Sequence, residues 1–175
     1  MIFQKTARVL SAGFAFVLTA LLALPVGAQE GLTRHIKTDD FEGVVFQAGP
    51  KMDWLFGGDY GRWTPLDSDI IEAEKICRVF LSRTDEPNAY YRQCLPKISG
   101  ELKGYKRQYF GLLGKKGEKI VWINFFWAGE AQVFPRWERE PVVVLDGGLS
   151  FLNVKIDLQS KKGFDLKING EALQR

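Results

Sequence analysis

Lys119-Ile-Val-Trp-Ile-Asn-Phe-Phe-Trp127 decides how this chain is read. It is dense in β-branched and aromatic residues, which suit a pleated, packed surface better than a helix. Val121, Ile123, Phe125 and Trp127 share one face of such a strand, and Ile120, Trp122, Asn124 and Phe126 share the other. Both faces are apolar apart from Asn124. A strand of that kind is predicted to be central in its sheet and covered on both sides.

Strand signals continue around it. Tyr105 to Leu113 reads as a strand joined to 119–127 by a Gly114–Glu118 hairpin loop, and Pro141 to Leu145, Leu149 to Leu158 and Phe164 to Asn169 follow as further strands. Leu152, Val154 and Ile156 are predicted to share an apolar face with Phe164, Leu166 and Ile168. The opposite face carries Phe151, Asn153, Lys155 and Asp157, with Asp165, Lys167 and Asn169. Upstream, residues 41–47 form a candidate short strand. The Gly-rich loop of 48–63 carries Trp54, Phe56, Tyr60 and Trp63 either as packing or as a ligand-facing lip. One helix starts at Thr64-Pro65, with Thr as N-cap and Pro at the first helical position. Its apolar stripe is Leu66, Ile70, Ala73, Cys77, Phe80 and Leu81. Residues 89–103, broken by Pro96 and Gly100, read as a helical turn or irregular segment. The expected fold class is α+β: one main amphipathic helix on a curved antiparallel sheet of four or five strands.

The first 28 of the 175 residues have the pattern of a secretory signal peptide: basic Lys5 and Arg8, an apolar run from Val9 to Leu24, and a small-residue site with cleavage after Ala28. This predicts a periplasmic or secreted protein with no stable membrane span after cleavage. The whole chain has 24 basic and 21 acidic residues; without Lys5 and Arg8 the excess falls from +3 to +1. So small an excess gives no ground for a nucleic-acid partner, and none is expected. Residues 29–40 read as a flexible polar lead holding solvated His35, the one histidine, and 41–175 as a single domain. In an oxidising compartment Cys77 and Cys94 are expected to form a disulfide, contributing roughly 3 kcal/mol; the alternative is two buried thiols.

Function is less legible. A single His leaves no Ser-His-Asp or Cys-His arrangement, no zinc or calcium spacing occurs, and no cofactor motif is found. No catalytic or metal residue is therefore assigned. The second sheet face offers a half-apolar pocket lined by Trp122, Asn124, Phe126, Asn153 and Lys155. The competing expectation is that the Trp54/Trp63 loop fills that face and Asn124 bonds to backbone. The leading expectation is a non-enzymatic binding or interaction domain for an unknown small molecule or envelope protein. A cavity-type enzyme using Asp or Tyr is the second, and a secreted inhibitor or envelope partner using Trp54 and Trp137 the third.

Five segments carry a resemblance: Arg107-Gln-Tyr, Trp122-Ile-Asn-Phe-Phe, Val144-Leu-Asp-Gly-Gly, Phe151-Leu-Asn-Val-Lys and Asn169-Gly-Glu-Ala172. Together they resemble a family of small exported bacterial proteins without an assigned activity, over about the last seventy residues. The order of helix and strands is also similar to cystatin-like and NTF2-like rolls, an analogy of element order that does not determine function.

Overall fold

Lys119–Trp127 is strand β5 of a seven-stranded sheet in the computed structural model, which describes residues 33–49 and 53–169. The elements in chain order are β1 (Thr33–Lys37), β2 (Glu42–Phe46), α1 (Asp53–Phe56), β3 (Gly61–Trp63), α2 (Asp67–Leu81), α3 (Ala89–Gly100), β4 (Tyr105–Leu113), β5, β6 (Phe151–Asp157) and β7 (Lys162–Ile168). The sheet runs β1-β2-β4-β5-β6-β7, with β3 paired to β4. β2 lies along Lys106–Phe110 of β4 and β3 along Gly111–Leu113, so the two share one edge of that strand. Every pairing is antiparallel except β2 with β4. A parallel pair needs a long crossover, and the chain between β2 and β4 supplies it with α1, β3, α2 and α3. The result is an α+β fold on an open, mostly antiparallel sheet.

The two predicted faces of β5 are both buried. Val121, Ile123 and Phe125 join Tyr105 and Tyr109 of β4 and Leu152, Val154 and Ile156 of β6 under the helices. From α2, Ile70, Ala73, Cys77 and Leu81 pack into this core, and from α3, Cys94, Leu95 and Ile98. The helices are pinned by a buried polar group. Glu74 on α2 accepts from Arg107 Nε at 3.2 Å and from the Tyr109 hydroxyl at 2.8 Å, and Arg107 also donates to the Tyr105 carbonyl at 2.5 Å. Burial above all, and then the Glu74 charge, pushes the Tyr109 hydroxyl well above its ordinary range, so it stays a donor.

Several expectations need correction. The sheet has seven strands and the helical layer two helices, against four or five strands and one helix. The flexible lead is a strand from Thr33, and composition hides it because an outer strand with only Ile36 buried lacks an alternating apolar signal. Residues 89–103 contain a full helix, opened by the Asn88 side chain accepting from the Tyr91 N–H at 3.1 Å and continuing through Pro96. α2 begins two residues later than Pro65. Leu66 is its N-cap, with its N–H bonded to Asp69 at 2.8 Å, while Thr64 Oγ1 accepts from the Ala48 N–H at 2.8 Å. Pro141 to Leu145 is not a strand. Phe164 lies opposite Lys155 and not on the helix face, because a bulge at Asp165 (φ 49°) slips the alternation by one residue. Cys77 and Cys94 are both free and buried, each filling a core position as a small apolar group. The proposed signal peptide and its cleavage site lie outside the described residues.

Two tests follow from this packing. Burial, and after it the Glu74 charge, raises the Cys77 thiol well above its ordinary range, so in the folded protein it should resist alkylation. Iodoacetamide labelling without reductant should leave Cys77 and Cys94 unmodified when folded and label both after denaturation; a bridged species would contradict the free thiols. A Cβ at Gly111 would run into the Trp63 carbonyl and the Pro65 ring, whereas one at Gly100 would meet open space. Gly111→Ala is expected to cost about 2–3 kcal/mol in urea unfolding, and Gly100→Ala, at the end of α3, to gain about 0.5 kcal/mol.

Candidate functional site

The second face of the sheet is built from Phe110 and Leu112 of β4, Ile120, Trp122 and Phe126 of β5, and Val44 and Phe46 of β2. It must be covered, and two pieces of irregular or short structure do so. One is α1, whose Phe56 ring meets Trp122 at 5.3 Å and Phe110 at 5.6 Å between centroids. Lys155 of β6 holds α1 in place: its ammonium donates to the Phe56 carbonyl at 2.7 Å and pairs with Asp165 at 2.6 Å. The β7 bulge is what turns the Asp165 carboxylate onto Lys155. Arg62 stacks against the same aromatic cluster, 5.0 Å from the Phe56 ring and 5.5 Å from Phe110. Its two terminal nitrogens have no hydrogen-bond acceptor, so the ring faces stand in for one.

The other cover is the segment from Phe134 to Leu145, a strap across β4 and β5. Its backbone is not in a ladder, and buried backbone groups need partners. Side-chain amides provide them. Gln108 donates to the carbonyls of Trp137 at 2.5 Å and Glu140 at 2.7 Å, and its oxygen accepts from the Val142 N–H at 2.8 Å. Asn124 donates to the same Gln108 oxygen at 3.1 Å and to the Val142 carbonyl at 2.8 Å. Farther along, Asn169 donates to the Val144 carbonyl at 2.6 Å. Trp137 seals the middle of the strap, packing 5.5 Å from the Phe126 ring.

Between α1 and the strap runs a groove of about 240 Å³. Trp122, Asn124 and Asn153 form its floor, Trp54 and Leu55 one wall, and Val142 to Leu145 the other, with Lys167 and Asn169 at one end. Three large apolar residues around it face solvent: Trp54 is 71% exposed, Val143 46% and Leu145 95%. At the floor, Trp122 Nε1 donates to Asn153 Oδ1 at 3.3 Å.

Of the five predicted pocket residues, the structure brings together three: Trp122, Asn124 and Asn153. Phe126 is fully buried beneath Phe134 and Trp137. Lys155 is 2% exposed and spent on Asp165 and the Phe56 carbonyl, so it anchors α1 and does not line the groove. The expectation that Asn124 bonds to backbone holds through Val142. The filling role expected of Trp54 and Trp63 falls instead to Phe56: Trp54 is outside, and Trp63 Nε1 donates to the Leu112 carbonyl at 3.0 Å. Trp137, expected as an exposed contact residue, is buried. His35 is half-exposed on β1, 3.4 Å from Glu138, and takes no part in the groove. Sequence reasoning missed the strap wall, for which the signal available was Val143 and Leu145, alternate residues of an apolar run; it placed Lys167 on this face but not in the pocket. Among the described residues, no three His, Cys, Asp or Glu side chains gather at metal-binding distance, and no helix is long and apolar enough to cross a membrane.

No family model, curated protein or solved structure matches the chain.

Removing the central amide tests this construction. Asn124→Leu strands the Val142 carbonyl and deprives Gln108 of a donor, and the expected loss is about 1–3 kcal/mol in chemical unfolding. Amide exchange should accelerate at Val142 and Trp137 and remain unchanged in α2. A more stable variant would show that the strap is held by apolar contact alone.

Proposed function

We propose that the chain is an exported, non-enzymatic binding domain, delivered to the periplasm or secreted after cleavage at Ala28, and that its ligand or partner sits in the groove between α1 and the strap. One observation carries this reading: Trp54, Val143 and Leu145, exposed by 71%, 46% and 95%, converge on a single concave site. Apolar surface left exposed around a groove with a few polar groups is the usual signature of a recognition site. The composition of the lining favours binding over chemistry. Among the described residues its one titratable side chain is Lys167, whereas an acid–base mechanism of the cavity type calls for a carboxylate or phenol facing the substrate. Tyr105 and Tyr109, the phenols with raised pKa, lie on the opposite face of the sheet under the helices. We read the arrangement of helices on one face of the β4–β7 meander as a variant of the cystatin-like or NTF2-like roll, with the groove on the face away from the helices. The resemblance to small exported bacterial proteins agrees with an envelope role.

Native mass spectrometry of protein recovered from the periplasm or medium of producing cells tests the proposal, and the same spectrum reports whether residues 1–28 have been removed. A bound adduct is expected on the native protein and not on the Trp54→Ala/Leu145→Ser variant. The two substitutions should shift stability by no more than about 0.5 kcal/mol, since both side chains face solvent. An adduct of equal abundance on both proteins, or on neither, overturns the groove as the binding site.

A further inference from the structure

The polarity of the groove is one-sided. Asn124 is committed to Gln108 and Val142, and Asn169 turns its amide nitrogen to the Val144 carbonyl. Asn153 spends its oxygen on Trp122 Nε1 and retains its amide N–H groups as donors. Among the described residues Lys167 brings the only charge in the lining, its ammonium reaching toward Gly57 at the end of α1. No acid among the described residues lines the groove to balance it. Asp165, the nearest acid along β7, is drawn onto Lys155 at the bulge and paired with it at 2.6 Å. What remains is an apolar slot between Trp54 and Leu145 with an ammonium and an amide donor at hand.

Resting on the reading of this groove as a binding site, we propose that its ligand is a small apolar carboxylate: an aromatic or branched body held between Trp54 and the strap, with the carboxylate on Lys167 Nζ and the Asn153 amide. A volume of about 240 Å³ holds about eight to ten non-hydrogen atoms at roughly 25–30 Å³ each, the size of one aromatic ring with a short acid arm. Charge complementarity selects the acid over the amine. An amine of the same shape meets Lys167 as a like charge, and a neutral amide forfeits the ionic part of the contact. Because Lys167 is exposed, the discrimination is modest, about fivefold between acid and amide.

The test is a titration of the protein with phenylacetate, phenylacetamide and phenethylamine, followed through the indole signals of Trp54 and Trp122 and the side-chain amide of Asn153 in two-dimensional NMR. Phenylacetate is expected to shift these signals with a Kd on the order of 1 mM, as suits so few atoms. It should bind about fivefold more tightly than phenylacetamide, with phenethylamine weaker still. Lys167→Met keeps the aliphatic stem, and should bring phenylacetate down to the affinity of phenylacetamide while leaving the latter unchanged. Equal affinity for all three probes in the native protein overturns the carboxylate preference and leaves the groove as a neutral apolar site. Shifts from none of them, or shifts confined to other surfaces, overturn the groove reading itself. A tripeptide ending in a free phenylalanine carboxylate that binds more tightly than phenylacetate would replace the small acid with a chain terminus.

Discussion

Strand β5 has no face to give to water. Val121, Ile123 and Phe125 on one side and Ile120, Trp122 and Phe126 on the other are all buried, and the strand sits between β4 and β6 with both ladders complete. The rest of the chain is disposed to meet that demand. One side is met by regular structure, two amphipathic helices delivered by the crossover that the parallel β2–β4 pair requires. The other is met by a four-residue helix and a strap without regular structure. The asymmetry between a thick cover and a thin one shapes everything that follows.

A thin cover creates a hydrogen-bonding problem that helices do not have. Helical backbone satisfies itself, whereas irregular backbone lying on an apolar sheet must find partners among side chains. The sheet accordingly carries polar residues on a face that is otherwise aromatic and aliphatic. Gln108 and Asn124 stand side by side on β4 and β5 and bind the strap at Trp137, Glu140 and Val142. Lys155 does the same for α1 at Phe56. Beneath the helices, Glu74, Arg107 and Tyr109 make the corresponding lock. Each is a buried polar group with its partners in place, a condition under which burial is tolerated and geometry becomes specific.

The faces of β5 and β6 were legible because alternation in a central strand is a strong signal, and Asn124 was legible as the one residue out of pattern. What the sequence concealed has a common cause. The place of Phe164, and the burial of Lys155, depend on one left-handed residue at Asp165, which alternation cannot anticipate. Thr33–Lys37 is a strand by virtue of its neighbour β2 and not by its own composition. Pro141 to Leu145 has strand composition, yet its main chain is bound by the amides of Gln108, Asn124 and Asn169, residues far away in sequence. The buried acid Glu74 falls outside the apolar stripe of α2, and nothing local marks Arg107 and Tyr109 as lying underneath it. The groove was visible as a face, through Trp122, Asn124 and Asn153, but its walls were not, since both come from the irregular segments.

Where two independent covers meet over one sheet there is a seam, and the groove is that seam. Its walls are free of the strand ladder, so Trp54, Val143 and Leu145 hold no part of the fold together through their side chains, and their exposure is a cost with no structural return. Its floor, by contrast, is rigid, formed by adjacent strands whose side chains are fixed by the same amide network that retains the strap. Walls of short or irregular structure thus stand over a floor of paired strands. Asp165, the nearest acid along β7, is held by Lys155, and among the described residues Lys167 is the one ionisable side chain in the lining. The constraint that began with a strand apolar on both faces thus ends in a groove between two covers.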